Sequence, residues 1–335
     1  MKRLLSGAVS VVLLLAGTLL ALSPGTVAAQ SQGGPWKVGV LWDAKTLPPR
    51  ILPLADWLRE DLMGLGFAEK EIDLVVRQAE EPSGLREAAR DLIKDKVNAI
   101  WASTPPAALA AKAETREVPM VFGMAAGDPV QLGLVEGLAR PGGNVTGIAF
   151  REWHLSAKRL EILREMVPRL RRVLVPVDLA YPGTPSTLEE LRGAARKLGI
   201  TLVEQPLTSR DDIERLASVL KRERVDGVLP ILNSATNQHF ELVVKALNEA
   251  RVPDIHFYLP AVEQGLVMAA YAPNHREALR ASARLLAKIL RGTRTQDLPV
   301  ESPDVIELRI NLKVAKERGV QIPQVLLLRA HKVFQ

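Results

Sequence analysis

The sequence predicts an α/β fold of two lobes, each with a parallel central sheet. The chain has 335 residues, which is about twice the length of an average domain. Short apolar runs rich in β-branched residues alternate with helical patterns along nearly the whole chain, as strand–helix–strand units require. No long linker or low-complexity tract separates the two halves. The lobes must therefore touch, and a cleft should form between them.

The composition excludes several classes of function. The chain has 47% hydrophobic and 24% charged residues, which is ordinary globular usage, and it has no cysteine. A disulfide framework, thiolate zinc sites, iron–sulfur clusters, a cysteine nucleophile and a lipid-modified cysteine are therefore excluded. The net charge of +6 is spread along the chain rather than clustered, so we expect no nucleic-acid partner.

The first residues have the pattern of a secretory signal. A short basic start, Met1–Arg3, precedes an uncharged apolar run from Leu4 to Leu22. Val27–Ala29 then places small residues where a signal peptidase reads them. We predict a signal peptide over residues 1–29, cleaved near Ala29/Gln30, and a periplasmic protein. The run is also long enough to span a membrane, so an uncleaved anchor is the alternative.

The first half alternates strands and helices. Apolar residues spaced three and four apart, such as Leu54, Leu58 and Leu62, predict the helices between the strands, and further helices are predicted at Ala107–Thr115 and Val130–Leu138. The predicted strands are Val38–Trp42, Ile72–Val76, Asn98–Ala102, Pro119–Phe122 and Val145–Ala149.

The second half repeats the plan and ends in a helix near residues 274–291. The predicted strands are Val173–Val177, Thr201–Glu204, Gly227–Ile231, Ile255–Tyr258 and Leu266–Tyr271. In open parallel sheets, ligands bind beyond the carboxyl ends of the strands. The facing strand ends of the two lobes are therefore the place to look for function.

Common catalytic and cofactor motifs are missing. No GxGxxG follows the first strand, and neither a GxxxxGK[ST] loop nor a GxSxG elbow is present. The five histidines show no HxxxH or HxH spacing, so no metal site is expected. We therefore predict no catalytic residues, no cofactor and no metal. The chain is expected to be a binding protein and not an enzyme.

Four stretches carry a resemblance to a known family. Gly127–Val130 is followed by Ala139–Gly147, which contains the string Arg-Pro-Gly-Gly-Asn-Val-Thr-Gly. Asp297–Glu301 and the segment that begins Ile310-Asn311-Leu312-Lys313 agree as well. With these residues the chain resembles the substrate-binding proteins of ABC transporters, in the group that includes periplasmic tryptophan- and tyrosine-binding members. The resemblance extends from about residue 36 to 333.

The resemblance implies a type I periplasmic-binding-protein architecture: two Rossmann-like lobes, hinged by crossover segments, that close on a small ligand. We expect residues 30–149 with about 272–300 in the first lobe and 150–271 in the second. Residues 301–335 are assigned to the second lobe with the choice left open. Hinges are expected near Ala149–Glu152 and Ala270–Pro273.

Loops after the strands of both lobes supply candidate ligand contacts. Free backbone amides at helix starts, together with serine and threonine hydroxyls, suit a carboxylate. Asp128 suits an ammonium group, although it could equally be a helix cap, as could Ser103 or Thr104. Trp42, Tyr181, Phe150 and Tyr258 are aromatic residues that could hold an apolar side chain. The predicted ligand-binding residues are Trp42, Thr46, Ser103, Thr104, Ala125, Gly127, Asp128, Tyr181, Asn233 and Leu259.

The leading hypothesis is a receptor that captures a small solute, an amino acid with an apolar or aromatic side chain or a related carboxylate. The receptor would deliver this ligand to the membrane permease of an ABC importer, and we expect a monomer. Two alternatives stay open at this point. One is a secreted enzyme on the same scaffold with Asp128 or Glu263 as a base, and the other is a ligand-sensing module for a membrane regulator.

Overall fold

The computed structural model describes residues 34–46 and 53–335. The predicted signal peptide over residues 1–29 and its cleavage site lie outside these ranges. Within them, no helix combines the length and the apolar character needed to cross a bilayer.

The first lobe is built on a five-stranded parallel sheet with the strand order β2-β1-β3-β4-β5. Its strands confirm the five predicted for this half. In chain order the elements are β1 (Trp36–Asp43), α1 (Leu54–Gly64), β2 (Ile72–Ala79), α2 (Pro82–Lys94), β3 (Ala99–Ala102), α3 (Pro105–Glu114), β4 (Met120–Ala125) and β5 (Val145–Ala149).

The remaining chain forms the second lobe, together with α11 and the segment after it up to Glu301, which return to the first lobe. In chain order the elements are α4 (Glu152–Met166), β6 (Arg172–Val177), α5 (Thr184–Leu198), β7 (Thr201–Pro206), α6 (Arg210–Glu214), α7 (Leu216–Glu223), β8 (Gly227–Val228), α8 (Ser234–Gln238), α9 (Phe240–Ala250), α10 (Leu259–Glu263), β9 (Ala269–Pro273), α11 (His275–Leu290), β10 (Ile306–Asn311), α12 (Leu312–Glu317), α13 (Gln324–Arg329) and β11 (Lys332–Phe334).

The second sheet consists of two three-stranded ladders, β7-β6-β8 and β11-β10-β9. Two isolated bridges join the ladders: Asp254 pairs with Val228, and His256 pairs with Ala270. All pairs are parallel except β9 with β10. The second lobe is thus one mixed sheet whose middle is held by single bridges.

Each face of the first sheet is covered by helices. On one face, α1 and α11 pack on the sheet around Trp101, Leu58 and Leu286. On the other face, α2 and α3 bury Leu41, Leu92 and their neighbours. With both faces covered, β1, β3 and β4 are continuous buried runs, as parallel strands require.

The predicted helix Val130–Leu138 is wrong. Residues 129–133 form a single turn, in which the Leu132 backbone N–H donates to the Asp128 carbonyl at 2.9 Å. Gly133 then takes a positive φ of 68°, which ends the turn. The segment continues as bends up to the strand β5.

The strands predicted around residues 255–271 are also partly wrong. Ile255–Tyr258 forms no regular strand, because this segment makes only the single bridge at His256 before α10 begins. The strand predicted at Leu266–Tyr271 is shifted to Ala269–Pro273, and the one predicted at Gly227–Ile231 is shortened to two residues.

Three segments connect the lobes. The chain crosses between β5 and α4, between β9 and α11, and again near Glu301, whose backbone N–H and carbonyl bond to Gly147 and Ala149. Beside the first two crossings, the buried Glu152 and Arg159 form an ion pair. The Arg159 Nε also donates to the Tyr271 carbonyl at 2.7 Å. This pair therefore joins two of the crossings.

Candidate functional site

The carboxyl ends of β1 and β3 lie where the first lobe meets the second. Asp43 organises this corner, because its carboxylate accepts hydrogen bonds from the Thr104 hydroxyl at 2.7 Å and from the Thr46 backbone N–H at 3.0 Å. The Asp43 backbone N–H donates to the Ser103 hydroxyl oxygen at 3.0 Å. All four residues are buried. Their mutual hydrogen bonds hold the loops in a fixed arrangement.

Direct contacts between the lobes show a closed cleft. The Thr46 and Ser234 hydroxyls are 2.7 Å apart, and the Asn237 side-chain amide donates to the Thr46 carbonyl at 2.9 Å. Gly127 and Gly183 also meet across the cleft. A Cβ atom on Gly127 would lie 2.9 Å from the Gly183 Cα, so the two backbones approach more closely than larger residues permit.

An enclosed cavity lies behind these contacts. Its volume is about 10 Å³, room for about one water molecule, and its walls come from both lobes and from two of the crossing segments. The lining is mainly apolar and aromatic, with a few hydroxyl groups, as is usual for small-ligand sites. The lining residues are Thr46, Thr104, Met124, Ala126, Phe150, Tyr181, Leu232 and His275.

The hydroxyl of Tyr181 is a buried polar group in this wall without a hydrogen-bond partner among the described residues. The Tyr181 side chain is 2% exposed. Burial raises the pKa of this phenol well above its ordinary value, and the Asp43, Glu152 and Asp178 carboxylates raise it further. An unpaired buried hydroxyl costs about 1–3 kcal/mol. A ligand that bonds to it recovers this energy.

A larger groove of about 430 Å³ adjoins the cavity, and Tyr181 lines both spaces. The groove runs between the α2–α3 surface and the loop after β6. Its floor is apolar, with Leu85, Leu109 and Pro182 among the lining residues. Its charged residues are acidic in excess: Asp43, Glu80, Glu81 and Asp178 against Lys45 and Arg86.

The histidine in the cavity wall is neutral at pH 7. Burial lowers the pKa of His275 to about 4, and the Arg159 guanidinium acts in the same direction. Among the residues lining the enclosed cavity, none is then positively charged at pH 7. Binding of a phosphorylated or polyanionic ligand would require basic side chains, which this wall does not contain.

A second buried histidine, His256, should lower the free energy of unfolding in acid. Neither ring nitrogen has a hydrogen-bond partner among the described residues, and the ring packs edge-on against Phe240 at 5.3 Å between centroids. Burial lowers the pKa of His256 to about 3, with a contribution from Arg159. The unfolded chain binds a proton at this residue below pH 6.5, whereas the folded chain does not until about pH 3. Stability is therefore lost as the pH falls through this range.

Replacing His256 with phenylalanine should therefore flatten the pH profile of stability. We expect the free energy of unfolding to fall less between pH 7 and pH 5, by about 2 kcal/mol, because one titrating group is removed. Urea unfolding at both pH values measures this difference. An unchanged pH profile in the variant would show that His256 does not remain neutral in the fold.

The structure brings several of the predicted ligand residues together. Thr46, Thr104 and Tyr181 line the enclosed cavity. Ser103 lies directly behind them through its bond with Asp43. Gly127 lies at the contact with Gly183, where the lobes meet.

Other predicted residues lie elsewhere or have local partners. Trp42 and Leu259 are buried in hydrophobic clusters, and Ala125, the last residue of β4, packs in the core between the first sheet and α2–α3. Asn233 caps α8 by accepting a 2.8 Å bond from the Thr236 backbone N–H. The Asp128 carboxylate accepts a 2.8 Å bond from the Val130 backbone N–H. None of these five side chains lines the cavity.

The sequence analysis did not select Met124, Ala126, Leu232 and His275 of the wall, and it named Phe150 only as an aromatic residue that could hold an apolar side chain. Met124 lies near the end of the buried strand β4 and Leu232 lies after β8, where they are indistinguishable from core residues. Phe150 and His275 stand at two crossings between the lobes and contact each other edge-on at 5.4 Å between centroids. Their position at the crossings is the signal that could have identified them.

Comparison with known proteins then decides the family. Residues 53–334 match the family model of the ABC transporter substrate binding protein. The chain belongs to this family. Its members are substrate-binding proteins and not enzymes, so the protein is a substrate-binding protein of an ABC transporter.

Individual relatives agree with this family. A tyrosine-binding protein of Clostridioides difficile (strain R20291) is 25% identical over 251 residues, which are 75% of this chain and 71% of that protein. The ABC domain from Streptococcus pneumoniae in complex with L-Trp has a TM-score of 0.80 at 20% identity, covering 90% of this chain and 100% of that one.

A conserved domain protein from Vibrio cholerae O1 biovar eltor has a TM-score of 0.79 at 24% identity, covering 89% of this chain and 99% of that one. At these identities the solved structures establish the fold. It is the type I periplasmic-binding-protein fold that the sequence predicted.

Proposed function

We propose that this substrate-binding protein takes up one free amino acid with an aromatic or apolar side chain between its lobes, where the groove and the enclosed cavity meet at Tyr181. The observation that carries the proposal is the unpartnered, buried Tyr181 hydroxyl in a mainly apolar and aromatic wall. The cavity itself, at about 10 Å³, holds about one water molecule, whereas the adjoining groove, at about 430 Å³, lies within the roughly 300–1,000 Å³ of small-ligand pockets. Tyr181 lines both spaces, so an amino acid would occupy the groove and widen the cavity beside Tyr181.

Two relatives support this choice of ligand. One is named for tyrosine binding, and another was solved in complex with L-Trp. Both ligands combine an aromatic side chain with small charged groups. Phe150, Tyr181 and His275 would pack against the aromatic part, and hydroxyl and backbone groups at Thr46 and Thr104 would meet the polar part.

The proposal includes delivery of the ligand to the permease of an ABC importer. The signal segment would direct a monomer to the periplasm. There the lobes, residues 30–149 with about 272–300 and residues 150–271 with about 301–335, would close about the crossing segments. The contacts between Thr46 and Ser234 and between Gly127 and Gly183 would then form only in the closed state.

Calorimetric titration of residues 30–335 with L-tyrosine, L-tryptophan and L-phenylalanine tests the proposal. We expect one molecule bound per chain, and at 100 times the Kd the stability should rise by about 2.7 kcal/mol. Replacing Tyr181 with phenylalanine removes one hydroxyl and should weaken binding by roughly 3- to 10-fold.

Tyr271→Phe is the matched control for this titration. It makes the same chemical change on β9, outside the cavity wall, and should bind as the unmodified protein does. Tight binding of a sugar or a phosphate ester with no response to any amino acid would contradict the proposal.

A further inference from the structure

Asp43 is a buried carboxylate that has no cationic partner among the described residues. It is 2% exposed, and its oxygens accept hydrogen bonds from two neutral donors, the Thr104 hydroxyl and the Thr46 backbone N–H. A buried carboxylate is costly unless a positive charge compensates it. The closed cleft thus holds an uncompensated negative charge.

The neighbouring basic residues are engaged elsewhere. Lys45 pairs with Glu81 at 3.4 Å, and Arg86 pairs with Glu114 at 2.6 Å. The groove beside Asp43 also contains Glu80 and Asp178. The local charge therefore stays negative and attracts a cation.

The Tyr181 hydroxyl, a group without a hydrogen-bond partner in the described part of the chain, lines the same groove from the other lobe. Asp43 and Tyr181 both line the groove, and the Asp43 charge acts on the Tyr181 phenol. The Tyr181 hydroxyl has no partner among the described residues, so the two groups do not bond to each other. A donor placed between them can satisfy both at once.

A primary ammonium fits this position better than a metal ion. An ammonium has three N–H donors, enough for a carboxylate oxygen, a phenolic oxygen and one further acceptor. Hard metal ions need six or more oxygen ligands, several of them commonly carboxylates. Across residues 34–46 and 53–335, no group of three or more His, Asp or Glu side chains is arranged to hold one.

We propose that Asp43 is the counter-ion of a primary ammonium group on the ligand, which lies between the Asp43 carboxylate and the Tyr181 hydroxyl. This inference rests on the proposed binding of a small solute in the cleft, and it narrows the ligand class to primary amines. Asp43 takes the role that the sequence analysis gave to Asp128, whose carboxylate accepts a hydrogen bond from the Val130 backbone N–H in its own turn.

Three series of compounds test the proposal on the intact protein. They are L-tyrosine, L-tryptophan and L-phenylalanine; the amines tyramine, tryptamine and phenethylamine; and the acids that lack the amino group. We expect the amino acids to bind at least ~10-fold more tightly than the corresponding acids, as a charge-assisted contact implies. This arm needs no variant and so does not depend on the folding of one.

Asp43→Asn removes the charge and keeps the shape of the side chain. It should weaken binding of the amino acid by ~10- to 100-fold and abolish the preference over the acid without the amino group. Asp128→Asn, which can still cap its turn, should bind as the unmodified protein does.

The possible outcomes separate this inference from the proposed function. If the acids without an amino group bind as tightly as the amino acids, or Asp43→Asn keeps full affinity, the counter-ion role is wrong while solute binding stands. Binding of the amines alone, lost in Asp43→Asn, would uphold the role of Asp43 and refute the amino-acid ligand. If no compound of the three series binds, both proposals are wrong.

Discussion

Replacing Glu152 with alanine should lower the free energy of unfolding by about 3–5 kcal/mol, because it leaves the buried Arg159 without its counter-charge. Both side chains are almost fully buried, and Arg159 Nη2 donates to a Glu152 oxygen at 3.1 Å. The pair also links two of the crossing segments, because Arg159 donates a hydrogen bond to the Tyr271 carbonyl. Urea unfolding measures the loss.

Glu161→Ala is the matched control on the same helix. Glu161 pairs with Lys158 at 2.6 Å, but both side chains are more than 40% exposed, so the cost should stay within about 1 kcal/mol. Replacing Glu152 and Arg159 together by leucine and methionine should recover part of the loss, since no buried charge is left. A loss for Glu152→Ala no larger than that of the control would show that the charge of Arg159 is not confined to a dry interior.

Replacing Gly183 with alanine should weaken binding of the amino acid by up to about a hundredfold. A Cβ atom there would lie 3.0 Å from the Gly127 backbone nitrogen in the other lobe, and backbone cannot rotate away as a side chain can. Such overpacking costs roughly 1–3 kcal/mol. Gly183 itself has φ −80° and ψ −12°, which alanine accepts, so the strain should arise only when the cleft closes.

Gly193→Ala is the control for this substitution. It lies within α5, the helix that Gly183 directly precedes, and the nearest atom to a new Cβ there is an arginine nitrogen 4.0 Å away, so binding should not change. Calorimetry gives the affinities, and small-angle X-ray scattering with ligand should show that Gly183→Ala stays more extended. Full affinity and full compaction in Gly183→Ala would mean that ligand binding does not bring these two backbones together.

The first sheet could be predicted from sequence because its strands are buried on both faces. β1, β3 and β4 therefore appear as unbroken apolar runs between amphipathic helices. The middle of the second sheet could not be predicted in this way. There, Asp254 takes part through a single bridge and an ion pair with the distant Arg318, contacts that no local pattern encodes.

The candidate site was predicted at the level of loops but not of side chains. Strand ends and helix starts pointed to the loops of Thr46, Thr104 and Tyr181, which do line the cavity. Trp42 and Asp43 are neighbours on β1 and so point to opposite faces of the sheet. The sequence analysis chose Trp42, which packs in the core against α11. The sequence does not show which face of the sheet α11 covers and which face meets the second lobe, so it could not show that Asp43 is the residue at the cleft.

The position of α11 affects how the chain can fold as it is synthesised. This helix covers one face of the first sheet with Leu279, Leu286 and Leu290, yet the second-lobe elements from α4 to β9 precede it in sequence. A growing chain therefore completes the five strands of the first sheet long before the helix that shields them exists. Until residues 275–290 emerge, the nascent chain keeps an apolar surface available to chaperones and cannot complete either half independently.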